Sequence, residues 1–306
     1  MSEKIVPVFS GGIGRSGTTI VSRILRQHPD LFGGSPNEVK FLTETYGLID
    51  LAFGMRNFLP TQSTRGGRLS AKLPINKSKK IRYRIFRKRI LNDWWNRTNR
   101  LGVDSGIHRS ISRGKLVELL DQLEANISQD VISGTRKFFF EFVRNHRKFQ
   151  GQKYWMDTTT SNIMYGNYLF KLFPEARFIE MRRHPLDNLS SVLLEPWGPS
   201  NLQEALPWFR DRISLQELSR SIIPSNQYEL IWLEDLVKNK REESYERLIK
   251  LVGLTDDPNT RKYFDEEVTI ERAHLGRWKK AFVDVPNVRS DFERIVGAID
   301  DSILGN

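Results

Sequence analysis

A glycine-rich turn between a strand and a helix constrains this chain more than any other stretch. Residues 6–41 read VPVFSGGIGRSGTTIVSRILRQHPDLFGGSPNEVKF. Pro7 to Ser10 continue a short apolar run that predicts a buried strand. Glycines then crowd at Gly11, Gly12, Gly14 and Gly17, and Ile20, Ile24 and Leu25 fall on one side of a predicted helix. Such a turn aims backbone N–H groups from a helix N-terminus, where orphan donors and the dipole hold an anion, usually a phosphate.

Three templates fit the turn, beside the bland alternative of a tight turn into a core helix. Gly12, Gly14 and Gly17 satisfy G-x-G-x-x-G, with Glu38 at the distance of a ribose contact. That acid, however, follows Gly33-Gly34-Ser35-Pro36, a breaker cluster that predicts a loop rather than the end of a second strand. Gly12 to Thr19 also approaches the phosphate loop of nucleotide hydrolases and kinases, except that Thr18 stands where the lysine belongs. The cation is instead Arg15, inside the loop.

The third template is a family. Gly14-Arg15-Ser16-Gly17-Thr18-Thr19 resembles the 5′-phosphosulfate loop of sulfotransferases that use 3′-phosphoadenosine 5′-phosphosulfate (PAPS), whose form is Lys or Arg followed by Ser-Gly-Thr-Thr. The resemblance implies that the loop backbone and hydroxyls hold the 5′-phosphate, with Arg15 on the bridging oxygen. Asn37-Glu38-Val39-Lys40-Phe41-Leu42 resembles the segment that carries the catalytic glutamate in the glycosaminoglycan branch, which implies Glu38 as general base. Lys40, two residues on, faces the same way if the segment is extended and then meets the sulfonate. Ala71-Lys72-Leu73-Pro74 resembles the Lys-Thr-His-Leu-Pro of cytosolic members but lacks its histidine.

A second landmark agrees. Arg177 to Arg182 predicts a strand, and Arg183-His184-Pro185-Leu186-Asp187-Asn188-Leu189-Ser190-Ser191 resembles the family's 3′-phosphate motif. Pro185 suits a first helical turn, Arg183 can fork onto phosphate oxygens, and Ser191 adds a hydroxyl two turns along. Tyr154-Trp155-Met156-Asp157-Thr158-Thr159 predicts a short strand ending in a polar turn, with Asp157 and Thr159 departing from the family's Glu-Lys-Thr-Pro. Tyr228 to Leu233 predicts another strand, followed by Glu234-Asp235-Leu236, similar to the family's Tyr-Glu-Asp-Leu turn. Gly276-Arg277-Trp278-Lys279 resembles the C-terminal loop that closes over the nucleotide, which implies Arg277 and Lys279 at the 3′-phosphate and Trp278 at the adenine.

Charge is concentrated elsewhere. The 306 residues carry a formal net charge of +11, and Lys77 to Arg100 holds ten Lys or Arg against one acid, Asp93. Interleaved Ile81, Ile85, Phe86, Ile90, Leu91, Trp94 and Trp95 predict an amphipathic helix with a basic face. That face is either simply solvated or meets an anionic acceptor or an acidic lipid headgroup, as a peripheral membrane contact. No nucleic-acid reading motif accompanies it. There is no cysteine, the five histidines have no ligand spacing, and no window approaches the roughly 20 apolar residues of a membrane span.

The expectation is therefore a single α/β domain over residues 1–306: a mainly parallel sheet flanked by helices, P-loop-like, with a helical, basic acceptor-side insertion at about 50–150. The resemblance identifies a PAPS-dependent sulfotransferase acting on an acceptor hydroxyl without a metal, and the lack of a long apolar run in MSEKIVPVF leads to the expectation of a cytoplasmic enzyme, bacterial-type or an excised soluble one. A P-loop kinase or nucleotide hydrolase, and a non-catalytic nucleotide- or glycan-binding module, are the alternatives.

Overall fold

A computed structural model describes residues 5–34, 36–54, 78–98 and 102–304. Ala71-Lys72-Leu73-Pro74 and the ends of the basic segment, Lys77 and Arg100, lie outside the described residues. Five strands, β1 (Val6–Gly12), β2 (Leu31–Gly33), β3 (Tyr154–Asp157), β4 (Arg177–Arg182) and β5 (Tyr228–Trp232), form one all-parallel sheet in the order β2-β3-β1-β4-β5. β1 is central and buried along almost its whole length, as a parallel strand covered on both faces must be.

Helices cover both faces. α1 (Thr18–Leu25) follows β1, and α2 (Leu48–Phe53), α3 (Lys79–Leu91), α4 (Arg113–Gln129) and α5 (Val131–Arg144) lie between β2 and β3. After β3 come α6 (Gly166–Leu172), then α7 (Pro185–Val192) and α8 (Leu202–Ile222) on either side of the turn that leaves β4's helix. α9 (Arg241–Val252), α10 (Pro258–Glu267), α11 (Ile270–Ala273), α12 (Trp278–Ala281) and α13 (Val288–Ile295) complete the chain. Local sequence explains several ends: Ser112 and Asp130 cap α4 and α5 by accepting from Lys115 and Ile132 N–H, Pro185 opens α7, and Gly253 closes α9 in the left-handed region.

Side-chain alternation along the strands divides the core. Phe9, Trp155, Phe178 and Tyr228 face one cluster, which runs without a break through α2 to α6; Val8, Met156, Ile179, Met181 and Ile231 face another, closed by α1, α9 and α10. The expected insertion thus shares its core with the sheet. Phe41, Phe86, Phe138 and Phe142 pack edge to face within it. Several elements, β2 and α8 among them, have no counterpart in the sequence reading. β2 is only three residues long, and α8 runs 21 residues through Pro207, a residue that normally argues against a helix.

This topology opens a crevice. The chain leaves β1 for one face through α1 and leaves β3 for the other through α6, so the connections diverge beyond the carboxyl ends of these neighbouring strands. That is where α/β sheets bind ligands.

Candidate active site

The loop after β1 sits at that edge. Gly17 caps α1 at φ +99°, a conformation a side chain would strain, and Arg15 also takes positive φ, at +74°. Asn188 on α7 donates to Gly14 O at 2.9 Å, and the Trp197 ring lies over Gly14, where a Cβ would collide with it. Backbone strain held by outside contacts of this kind is typical of a functional loop. Ser16 is buried with its Oγ unpartnered among the described residues; Thr18 is buried and Thr19 exposed.

The second motif arrives beside the first because β4 pairs with β1, with Met181 aligned on Gly12 and Arg183 two residues further. Arg15 Nε donates to Ser191 Oγ at 3.0 Å and lies 3.3 Å from the Glu195 carboxylate. The residues expected at the 5′- and 3′-phosphates are therefore in contact. Arg183 is buried; its Nη2 donates to His274 O at 2.7 Å, and its Nε has no partner among the described residues. Burial pulls the Arg183 guanidinium below its ordinary value, Asp187 and Glu234 oppose this, and the like charges of Arg15 and Arg277 add to it. Partial desolvation, then Arg277, Arg183 and Arg15, lowers His274 in the same way. Three arginines thus converge on one edge of the sheet, and two buried polar atoms there, Ser16 Oγ and Arg183 Nε, lack partners.

Residues 274–278 close this edge. Arg277 and Lys279 are exposed, and Gly276 takes φ +75°. Trp278 stacks on His184, with centroids 5.8 Å apart, and packs against the cluster of α7, α8 and α13, a setting the sequence reading, which put it at the adenine, did not foresee. His184 N–H in turn donates to Glu234 at 2.9 Å. Glu234, fully buried, is pushed up to about 7 by desolvation.

On the other side of the loop, Glu38 is held by its neighbours. Val39 N–H donates to Asp157 Oδ1 at 2.5 Å, while Thr158 N–H and Oγ1 both donate to Asn37 O at 3.1 Å. Asp157, which replaces the family's lysine position, is fully buried and also accepts from Thr159 N–H and from Asn162 Nδ2. Desolvation raises its carboxyl above the ordinary range despite these bonds. Arg26 reaches across Gly33 to Asn37 Oδ1. Asp157, Asn162 and Arg26 went unassigned in the sequence reading, and the departure at Asp157 was its one visible trace. The segment bends rather than running extended, yet Glu38 and Lys40 meet, at 2.5 Å. From Lys40 the chain turns into a groove of about 700 Å³ lined by Glu44, Thr45, Tyr46, Ile85, Lys88, Arg89 and Asp93.

α3 carries the basic face as expected, but much of its charge is tied down. Lys79 donates to Ile127 O, Arg82 to Leu51 O, Arg87 to Tyr83 and Asp121, and Arg89 pairs with Asp93. Lys80, Arg84 and Lys88, spaced four apart, are exposed. No metal-ligating group of His, Cys, Asp or Glu occurs among the described residues, and no described helix is long and apolar enough to cross a membrane.

A parallel sheet, a glycine loop opening a helix and arginines gathered at the strand ends define a P-loop-like fold. Residues 7–258 match the model of the Sulfotransferase family, and the chain belongs to that family. Among solved structures it is similar to sulfotransferase STF1 of Mycobacterium tuberculosis H37Rv, at 15% identity over 93% of this chain and 78% of that one, with a TM-score of 0.47. It is also similar to the sulfotransferase domain of the Synechococcus PCC 7002 olefin synthase (19% identity, 84% and 77% covered, TM-score 0.44). A third likeness is to a sulfotransferase from Alicyclobacillus acidocaldarius (11%, 97% and 97%, 0.44). No curated protein matches the sequence.

Proposed function

We propose that this chain moves the sulfuryl group of PAPS to an acceptor hydroxyl. The observation that carries the reading is the convergence of Arg15, Arg183 and Arg277 on the glycine loop, with Ser16 Oγ and Arg183 Nε buried beside it and unpartnered among the described residues. Buried polar atoms without partners among the described residues, beside gathered like charges that a few nearby carboxylates offset only in part, suit a ligand with two separated phosphates. Gly14, Arg15, Ser16, Gly17, Thr18 and Thr19 would hold the 5′-phosphosulfate, and Arg183, Ser191, Gly276, Arg277 and Lys279 the 3′-phosphate. Trp278, stacked on His184, supports the loop that carries Arg277.

When bound, the donor supplies a sulfonate on a phosphate leaving group. Glu38 accepts the proton of an acceptor hydroxyl, Lys40 brings a cation to the sulfonate, and Arg15 with the loop N–H groups neutralises charge on the phosphate. Positioning and electrostatics then supply most of the rate, as in the related phosphoryl transfers. No residue assigned here requires a metal. The exposed Lys80, Arg84 and Lys88 belong to the same reading as the surface an anionic acceptor meets. A cytoplasmic setting is part of it too, and cell fractionation tests that point.

Calorimetric titration with adenosine 3′,5′-bisphosphate and with ATP, each with and without magnesium, tests the donor. Tight bisphosphate binding that is indifferent to magnesium is expected; a preference for ATP with magnesium would favour a kinase or hydrolase instead. Turnover on a panel of hydroxylated acceptors then separates an enzyme from a binding module.

A further inference from the structure

Asp187 stands between the two halves of the arginine cluster. It lies in the first turn of α7, four residues after Arg183 and four before Ser191, and it is fully buried. Its Oδ2 accepts from Gly276 N–H at 2.6 Å and its Oδ1 from Trp278 N–H at 2.9 Å. The same carboxylate is 3.6 Å from Arg183 Nη2, which itself donates to His274 O. Residues 274–278 are thus gripped from one side by an arginine and a carboxylate that share an ion pair.

The grip is needed. His274 takes φ +53° and Gly276 φ +75°, so the loop holds two left-handed residues, one of them carrying a side chain. Two backbone N–H groups bound to a buried carboxylate are charge-assisted bonds of the stronger kind. They flank Arg277 on either side, which fixes the backbone from which its exposed side chain projects.

We propose that Asp187 is a positioning residue that makes Arg183 and the Arg277 loop one unit, and so sets the preference for a ligand carrying a 3′-phosphate. The proposal rests on the donor reading above. Being fully buried, Asp187 does not touch the ligand; it acts through the loop.

The test compares adenosine 3′,5′-bisphosphate with adenosine 5′-phosphate by calorimetry, in the wild type, Asp187→Asn, Arg277→Ala and the double variant. An amide in place of the carboxylate presents an N–H to an N–H at one of the two bonds. The bisphosphate-to-monophosphate affinity ratio is expected to fall roughly tenfold in Asp187→Asn. The double variant should lose little beyond either single one, because both remove the same contribution. Trypsin should also cut ligand-free Asp187→Asn faster than wild type after Arg277, Lys279 or Lys280. A wild-type ratio in Asp187→Asn, or additive losses in the double variant, would overturn the proposal.

If Asp187→Asn does not fold, Gly276→Ala probes the same loop from its own side. A methyl there meets no atom within 4 Å but strains a left-handed backbone, so the ratio should fall roughly fivefold; an unchanged ratio counts against the proposal. Failure of the wild type to prefer the bisphosphate would instead sink the donor assignment, and the trypsin comparison would still decide whether Asp187 holds the loop.

Discussion

The edge proposed to hold the donor and the side proposed to meet the acceptor, here the donor edge and the acceptor side, are built by different means. At the donor edge the working parts are backbone N–H groups and a few buried side chains, each fixed by named bonds: Asn188 to Gly14, Arg15 to Ser191, Arg183 to His274, Asp187 to Gly276 and Trp278. On the acceptor side, helices α2 to α5 pack apolar side chains into the shared core, and α3, α4 and α5 turn charged residues outward. The first kind of construction tolerates few residue types at each position; the second tolerates many, provided the apolar period is kept. Chemistry should accordingly be brittle at the donor edge and graded across the acceptor side, with Glu38 on the boundary, anchored to β3 through Asp157.

The sharpest way to break that contrast is Glu38→Gln. The amide keeps the shape and can still contact Lys40, but it cannot take a proton. A general base contributes about 10²–10⁴-fold, so kcat should fall by that order while affinity for adenosine 3′,5′-bisphosphate holds. Near-wild-type turnover on a true acceptor would move the base elsewhere.

Next in size is Arg183→Ala. A charge-assisted bond contributes about 1.5–3 kcal/mol, so binding of adenosine 3′,5′-bisphosphate should weaken about tenfold or more, well beyond the loss for adenosine 5′-phosphosulfate. Equal losses for both ligands would mean that Arg183 braces the loop, through His274 and Asp187, without meeting a 3′-phosphate.

What the sequence revealed follows the same division. The strand, loop and helix at Val6 to Leu25 and the Arg183 to Ser191 stretch were legible because glycine, proline and arginine at fixed spacing leave few structural options. Apolar residues at helical spacing, Leu116, Leu119, Leu120 and Leu123 in α4 and Leu248, Leu251 and Val252 in α9, make those two helices legible as well. β2 was hidden because three residues carry no period, and α8 because Pro207 and the preceding Gly198-Pro199-Ser200 read as breakers. Asp187, Asp157 and Glu234 were missed for a different reason. A buried acid that holds a loop has the same sequence appearance as a solvated one, and only the fold brings Asp187 to Gly276, 89 positions away.

Glu234 turns the donor edge into a pH measurement. Its carboxyl, desolvated and pushed from 4.5 to about 7, has a folded-state value above the unfolded one. Its contribution is thus present in full below pH 4.5 and is lost as pH climbs through about 7. Glu234→Gln can still accept from His184 N–H but does not titrate. The melting temperature of Glu234→Gln relative to wild type should therefore rise by a few degrees between pH 5 and pH 8. A difference that stays flat across that range would show that Glu234 does not titrate there and would overturn this expectation.

The smallest expected effect lies on α3, where the structure changes which cations to test. Lys79, Arg82 and Arg87 are tied to Ile127, Leu51, Tyr83 and Asp121, so replacing them mixes lost packing with lost charge. Lys80, Arg84 and Lys88 are exposed on one stripe, and Lys88 also lines the groove that begins near Lys40. Replacing all three by Gln should leave stability and donor affinity unchanged. If an anionic acceptor crosses this stripe, its KM should rise a few-fold at low ionic strength, and the difference should vanish as added salt shortens the screening length from about 30 Å at 0.01 M to about 8 Å at 0.15 M. Such a graded, salt-sensitive loss is what a surface of independent point charges produces, in contrast to the all-or-nothing behaviour expected at Glu38. An unchanged KM at low salt would make the stripe a solvated face and confine recognition of the acceptor to the groove and the Glu38–Lys40 pair.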